Sequence, residues 1–469
     1  MSLLHQAPFM AIFLALSLLL ALGGGPVALP FALVSTAGFL FCTFSSARPG
    51  EGRFFSFVLF CALLLSLRVV VVLGRRVTLP QSVNAEGVVV QVRPWGRFYA
   101  AAVSTSEGGY VVTLPFATLT EGTCVRLSGI PKPFRRALDK SRFDEELYWR
   151  ARDMDARLMK AKVEPTPEQP WNFHRLRYAL DRALAIHTPE LVGAYLRAAW
   201  TGRRDLDLNE AHRNWGTSHL LAVSGYHVGV LMMAVSCLFS SGRRRVIGLS
   251  VLLWGYIFLT GAPASALRAG LMLQTGLFGE LLGRPTRPLN SVSLAGALLL
   301  AYNPFFFWDA GWRLSILAAL TIAALLELGD ARSMRFWLSM NPLIWMVTYP
   351  QASYIFGDIP LAGILMNFIA PAFFSFTLSF ASVVTLCHLV GFPLTGWLLG
   401  VLEGAFRLWG VVADGLAALT PWGLGWEPLL VWGCVGGFLA LLCRALHLSW
   451  GRTAFLVPTG TLVAFSLFL

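Results

Sequence analysis

The hydrophobic pattern divides the chain into two helical regions with a polar insert between them. Three apolar segments come first, at roughly residues 9–22, 26–46 and 54–73. A membrane-spanning helix needs about 20 mostly apolar residues, and runs approaching that length recur after the insert. Their expected starts lie near residues 217, 246, 263, 289, 311, 336, 360, 391, 428 and 453. The pattern predicts a polytopic α-helical membrane protein with about 10–13 membrane segments.

The insert, residues 75–168, alternates short apolar and polar runs. Stretches such as VNAEGVVVQVR, GYVVTLPF and DARLMKAKVEP predict β-strands, and FDEELYWRARD predicts a short helix. About five strands in a segment of this length are typical of a small barrel such as the OB-fold. We therefore expect an inserted, external OB-like β-barrel domain, preceded by N-terminal transmembrane helices in residues 1–74.

Residues 169–214 connect the barrel to the later helices. The run WNFHRLRYALDRALAIH places Trp171, Leu176 and Leu180 about one helical turn apart, with arginines between them. This spacing predicts an amphipathic helix in the membrane interface, and a helix packed on the barrel is an equally open interpretation. Residues 215–469 then form the expected transmembrane core.

Four prolines predict broken or re-entrant helices between residues 336 and 390, because proline removes a helical hydrogen bond. They are Pro342, Pro350, Pro360 and Pro371.

Composition supports the membrane assignment and suggests an orientation. The chain is 56% hydrophobic and 13% charged, whereas an ordinary soluble domain is about a quarter charged. Basic residues stand between several later spans: Arg243–Arg245, Arg284, Arg287, Arg332, Arg335, Arg444 and Arg452. By the positive-inside rule, these loops and the earlier loop with Arg48 and Arg53 are cytoplasmic. The N-terminus is then also cytoplasmic, and the barrel is outside. The net charge of +12 also suits nucleic acid or anionic lipid, and charge alone does not choose between them.

The stretch TSHLLAVSGYHVG carries polar groups where the flanking sequence is strongly apolar. We single out His219, Ser224, Tyr226 and His227, because polar side chains at membrane depth are costly and often functional. On a single helix, Ser224 and His227 are three residues apart and can touch. They could be a nucleophile and its base, although close packing with hydrogen bonding is the favoured interpretation.

Further polar residues lie in the later apolar segments. Arg268 follows small residues in GAPASALRAG, and Asp309 and Arg313 in WDAGWRLS are spaced to pair on one helix face. Asp358 lies in a proline-flanked stretch with no neighbouring carboxylate suited to a metal site. The single barrel cysteine, Cys124, excludes a disulfide within the barrel. We predict no metal and no cofactor.

Several motifs in order resemble the ComEC-type competence proteins. TSHLLAVSGYHVGVL is similar to the family's His-Leu-Leu-Ala-Ile-Ser-Gly-Leu-His run, and GAPASALRAGLM and WDAGWRLSILAAL are similar to its next two segments. IPLAGILMNFIAPAF, which contains Asn367, and FDEELYWRARDMDARL also match. Two positions depart from the pattern: Arg313 replaces the usual Gln, and Tyr226 replaces the usual Leu.

The resemblance implies a channel of the bacterial inner (cytoplasmic) membrane that conducts single-stranded DNA into the cytoplasm during natural transformation. The chain contains no HxHxDH run and no Walker A motif, so we expect a short form without the metallo-β-lactamase-like domain and no enzyme activity. A cytosolic helicase or strand-binding motor, an external DNA receptor and a separate nuclease would then be partners, besides membrane lipids.

Basic and aromatic residues of the insert are candidates for strand contact: Arg93, Trp95, Arg97, Phe98, Lys132, Arg135 and Arg136. The other interpretation is that they keep the barrel soluble. Two further functions stay open. One is an intramembrane hydrolase using Ser224 and His227, and the other is a transporter of lipid-linked polyanions or polysaccharides.

Overall fold

Three apolar helices open the computed structural model of the chain. They are α1 (Pro8–Ala21), α2 (Ala28–Phe44) and α3 (Glu51–Gly74). Apolar residues every three to four positions let α1 bury Leu16, Leu19 and Leu20 completely or almost completely. The structure describes residues 8–44, 51–75, 79–137, 143–223, 225–237, 239, 242–284, 286–329 and 333–468.

A closed five-stranded barrel follows, as the alternating pattern predicts. Its elements are β1 (Val83–Trp95), β2 (Phe98–Thr105), β3 (Gly109–Leu114), β4 (Cys124–Lys132), α4 (Glu145–Arg150) and β5 (Ala156–Pro165). The strand order is β1-β2-β3-β5-β4, closed by pairing of β4 with β1, and only β3 and β5 run parallel. Side chains from alternate positions, including Val89, Val103 and Leu127, fill the interior.

Three helices connect the barrel to the rest of the helical region: α5 (Phe173–His187), α6 (Glu190–Thr201) and α7 (Leu206–Asn214). Helix α5 packs on the barrel through Arg177, whose Nη2 donates to Glu121 Oε2 at 2.9 Å. Other α5 residues, such as Leu176 and Ile186, are exposed, at 41% and 63%. The helix therefore packs on the barrel on one side and presents apolar side chains on another.

The remaining chain is helical. After a 3₁₀ helix at Ser218–Leu220 come α8 (Gly225–Ser236), α9 (Arg243–Leu259), α10 (Ala264–Leu281), α11 (Pro288–Tyr302), a 3₁₀ helix at Pro304–Trp308, α12 (Ala310–Leu328), α13 (Met334–Phe356), β6 (Ile359–Pro360), α14 (Ala362–Leu389), α15 (Thr395–Leu419), β7 (Gly423–Leu424), α16 (Pro428–Ala445) and α17 (Trp450–Phe468). The short strands β6 and β7 pair with each other.

Five helices in the described parts of the chain are long and apolar enough to cross a membrane. They are α3 from Ser56, α12, α14, α15 and α16. Helices α1 and α11, and parts of α2 and α8, are apolar but shorter. Length and composition alone thus support a multi-helix membrane protein.

The prolines between residues 336 and 390 mostly do not break helices. Pro342 and Pro350 lie within α13, and Pro371 lies within α14, so the breaks predicted at these three positions were wrong. Pro360 alone of the four lies between two helices, in β6.

A side chain compensates for the proline inside α14. Pro371 has no N–H to donate to the Asn367 carbonyl one turn earlier. Asn341 Nδ2 on α13 donates to that carbonyl instead, at 2.7 Å. The neighbouring helix thus satisfies the group that proline leaves open, which lets α14 continue.

Ion pairs and backbone contacts show how α9 to α12 alternate in direction. Arg245 at the start of α9 pairs with Glu280 at the end of α10, at 3.0 Å. At the other ends, the α9–α10 turn packs on the barrel-bound α5, where a Cβ at Gly261 would collide with Arg177. Asn303 after α11 donates to the carbonyl of barrel residue 150 at 3.0 Å. We call this the barrel end of the helical core, and the other the far end.

Candidate functional site

The histidine-containing stretch is not the single helix that the sequence suggested. It forms the 3₁₀ turn at Ser218–Leu220, and α8 begins only at Gly225. Gly216, with φ +71°, comes so close to Gly363 that a Cβ would lie 2.7 Å from its Cα. Glycine is needed at this backbone contact with α14, because an L-residue would be strained and crowded there. The contact lies just before the 3₁₀ turn.

The break separates the two histidines that we singled out. His219 is exposed in the 3₁₀ turn, whereas His227 is 8% exposed inside α8. Ser224 lies outside the described residues, as does the side chain of Tyr226. The proposed Ser224–His227 contact therefore stays a prediction.

A third histidine, which we did not predict from the sequence, holds the turn in place. His212 on α7 is fully buried, with Nε2 2.9 Å from the Tyr195 hydroxyl and Nδ1 2.9 Å from Thr217 Oγ1. Burial lowers the pKa of His212 to about 4, so the ring is neutral at physiological pH. In the sequence, the one signal for this role was the position of His212 five residues before Thr217. Such polar spacing alone does not distinguish a buried histidine from an exposed one.

Arg268 is buried in α10 and bridges three helices. Its Nε donates to Ser315 Oγ on α12 at 2.9 Å, and Nη1 lies 3.1 Å from Met272 Sδ. Its Nη2 lies against the first residue of α8, 3.1 Å from where a Cβ on Gly225 would stand. Across the described residues, no carboxylate forms a salt bridge with Arg268. A buried guanidinium without a counter-ion is costly, which marks it as a functional candidate.

Asp309 and Arg313 do not form the ion pair that their spacing predicted. Asp309 is the N-cap of α12, accepting from Trp312 N at 3.0 Å, and it pairs with Arg152 of the barrel at 3.2 Å. Arg313 Nε donates to the carbonyl of residue 307 at 2.6 Å, and its Nη1 donates to Gln351 Oε1 at 3.3 Å. The cap geometry aims Asp309 back at the helix start and the barrel, so it does not face Arg313.

The other two core candidates lie apart from this group. Asn367 Oδ1 is buried and, among the described residues, has no hydrogen-bond partner. Asp358 is exposed in the turn before β6, beside Gly425. Through Ser315, Arg268 is thus linked to α12, the helix that also carries Arg313. In the described structure, Asn367 and Asp358 make no direct hydrogen bond to either arginine. In the described part of the chain, no group of three or more His, Cys, Asp or Glu could hold a metal.

The barrel candidates divide into packed, paired and open residues. Trp95 packs in an aromatic cluster, with its ring 5.5 Å from Tyr148 and 5.1 Å from Trp149. Arg136 pairs with Glu146 at 2.6 Å. Four other candidates are exposed: Arg97, Phe98, Lys132 and Arg135.

Arg93 lies at the junction between the barrel and the helical core. Its Cζ is 5.3 Å from the centre of the Tyr148 ring, and Arg152 Cζ is 3.7 Å from the same centre. Burial, together with the nearby charges of Arg152 and Arg204, lowers the pKa of Arg93 to about 10. We did not predict Tyr148, Arg152 or Arg204 from the sequence, although YWRAR was a visible aromatic and basic run.

The described structure thus combines five helices long and apolar enough to cross a membrane with an inserted five-stranded β-barrel. Residues 201–451, more than half of the chain, match the Competence protein family. The chain therefore belongs to that family, and the resemblance drawn from the motifs is confirmed.

Two curated proteins illustrate the relationship. The chain is 28% identical over 174 residues to ComE operon protein 3 of Bacillus subtilis, covering 35% of this chain and 22% of that protein. It is 28% identical over 178 residues to an uncharacterized protein of Aquifex aeolicus, covering 38% of this chain and 43% of that one. No solved structure gives a significant match. The chain thus spans less than half the length of either relative.

Proposed function

We propose that the protein conducts single-stranded DNA across the bacterial inner (cytoplasmic) membrane during natural transformation. The observation that carries this proposal is the Competence family match over residues 201–451, which includes the helices that hold Arg268 and Arg313. A strand of phosphates cannot cross hydrocarbon bare, and buried cations without counter-ions suit a path for anions.

The proposed orientation places the barrel outside and the far end of the core in the cytoplasm. Arg245 and Arg287 lie at the far end, where they pair with Glu280 and Glu327 from the adjacent helices. The positive-inside rule counts basic residues near helix ends and assigns little weight to acidic ones. The two salt bridges therefore do not alter the proposed orientation.

We infer that the barrel is OB-like and receives the strand. Three consecutive strands with β4 returning beside β1 make a Greek key, and β5 closes it, as in small nucleic-acid-binding barrels. The exposed candidates would supply charge and one stacking ring: Arg97, Phe98, Lys132 and Arg135. Arg93 and Trp95 would contact the strand on the side of this surface that faces the helical core.

Inside the core, sparse donors would guide the phosphates. His219 is exposed at the turn before α8, and Arg268 and Arg313 lie deeper with hydrogen bonds to neutral partners. A few cations with neutral donors allow passage, because a stronger site would trap the strand. The remaining path candidates are Ser224, Tyr226, His227, Asp309, Asp358 and Asn367.

We propose partners for this transport. A cytosolic helicase or strand-binding motor would move the strand, since the sequence shows no Walker A motif. An external receptor would deliver DNA, and a separate nuclease would degrade one strand if degradation occurs.

The test is deletion of the gene in its own transformable host, followed by tracking of fluorescent DNA. We expect DNA to accumulate outside the cytoplasmic membrane and transformants to be lost, with recovery on re-expression of the chain. Normal arrival in the cytoplasm would overturn the proposal. A re-expressed Ser224→Ala variant separates a conduit from a hydrolase, because a hydrolase would lose all activity.

A further inference from the structure

Three arginines lie where the barrel touches the barrel end of the helical core, and we call them the arginine clamp: Arg93, Arg152 and Arg204. Two of them, Arg93 and Arg152, share the ring of Tyr148 as their cation–π partner. They therefore place two positive charges at 5.3 Å and 3.7 Å from the centre of one ring.

The third arginine reaches the same place from the segment before α7. Its neighbour Arg203 pairs with Glu121 Oε1 at 3.3 Å. The same oxygen accepts from the backbone N–H of Val92, also at 3.3 Å. One carboxylate oxygen thus joins the residue before Arg93 to the residue before Arg204, and the charge of Arg204 lies near enough to Arg93 to lower its pKa.

We propose that the arginine clamp binds the phosphates of a single strand as it leaves the barrel, and that Asp309 holds Arg152 until a phosphate displaces it. This inference rests on the proposed function and names the entry point of the path. Asp309 pairs with Arg152 at 3.2 Å and caps α12, the helix that carries Arg313. A phosphate that replaces Asp309 on Arg152 thus lies at the start of that helix.

Among the described residues, the positive charges at the clamp exceed the negative ones that pair with them. Asp309 offsets Arg152, whereas in the described residues no carboxylate forms a salt bridge with Arg93 or Arg204. Desolvation lowers the pKa of Arg152 and of Arg204; the Arg152 side chain is 32% exposed, and Arg204 is exposed to solvent. Partly desolvated cations in excess of their counter-ions attract anions, and a strand offers one phosphate charge per nucleotide.

Aromatic groups beside the clamp suit the bases of such a strand. Phe143 is 61% exposed, and its ring lies 5.4 Å from Tyr148 and 5.7 Å from Trp95. The Tyr148 hydroxyl is buried and has no hydrogen-bond partner among the described residues. Cations that track the backbone next to rings that stack bases are the usual elements of single-strand binding.

The experiment uses the full chain in phosphatidylcholine nanodiscs and a fluorescein-labelled oligothymidylate, with anisotropy measured over a range of salt concentrations. Each of Arg93→Gln, Arg152→Gln and Arg204→Gln should weaken binding about tenfold, the effect of losing one charge-assisted hydrogen bond. Each should also reduce the salt slope by about 0.7, the value for one phosphate contact on a single strand. The control is Arg126→Gln, an exposed barrel arginine paired with Glu86, which should leave both quantities unchanged.

Asp309→Asn tests the displacement in the opposite direction. Asparagine still caps α12, so the helix start is kept while the competing charge is lost. We expect binding to tighten severalfold, and unchanged or weaker binding would contradict the counter-ion role. Wild-type and variant proteins should elute identically in size exclusion, so that a folding defect is recognised.

The outcomes separate the clamp from the proposed function. Absence of binding by the wild-type chain overturns both. Binding by the wild type with unaltered clamp variants overturns the clamp alone. If the clamp variants bind the oligonucleotide normally and lose only copurified phosphatidylglycerol, the phosphate recognised is that of lipid, and the strand-binding role of the clamp is wrong.

Discussion

The buried ion network between the barrel and α5 predicts that one carboxylate holds the two parts together. Glu121 is 4% exposed and accepts from Arg177 at 2.9 Å, and it also pairs with Arg203 at 3.3 Å. Glu121→Ala leaves Arg177 without a carboxylate partner among the described residues and leaves Arg203 with Asp181 alone. Removing one partner of a buried pair costs about 3–5 kcal/mol, because the other charge stays buried and uncompensated.

The assay is hydrogen exchange of the amides in β1 and α5, measured on the full chain in nanodiscs. A loss of about 3–5 kcal/mol corresponds to exchange faster by about a hundredfold to several thousandfold, where exchange follows local opening. The matched control is Glu86→Ala, which breaks the pair with Arg126 on the barrel surface. An exposed pair contributes about 0–1 kcal/mol. Equal effects of the two substitutions would refute the reasoning.

Buried polar groups give three further predictions. The pKa of His212 is depressed in the folded chain, so its contribution to stability is complete above the unfolded value of about 6.5 and is lost as the pH falls toward 4; His212→Gln should flatten that part of a stability–pH curve. Arg268→Met should abolish DNA import yet leave thermal stability unchanged or raised, because it removes an uncompensated buried charge, and a matching loss of stability would indicate a structural role instead. Asn341→Ala should cost about 1–3 kcal/mol by leaving the Asn367 carbonyl unsatisfied, measured by thermal unfolding, whereas Ser339→Ala, which breaks a bond within its own helix, should cost less.

Much of the fold could be predicted because it depends on local periodicity. Alternation with period two located the barrel strands, and apolar runs located the later helices; the expected starts near 263 and 428 compare with Ala264 and Pro428. The strand order within the barrel was not predicted, since it depends on which distant strands pair.

The errors share a cause, which is a contact made by residues far apart in sequence. Gly216, just before the 3₁₀ turn, packs against Gly363, and the partner of Asp309 is Arg152, 157 residues earlier. The continuity of α14 at Pro371 depends on an asparagine in α13. Spacing along one segment cannot reveal a partner on another, so the local i, i+4 rule favoured the wrong pair.

The salt bridges at the far end also bear on the order in which the helices assemble. Arg245 and Glu280 join the open ends of the α9–α10 hairpin, and Arg287 and Glu327 join those of the α11–α12 hairpin. Each acidic partner is synthesised last, near the end of the second helix of its hairpin. The pair can therefore form only when the second helix has returned alongside the first, so that each bridge closes a finished hairpin during biogenesis.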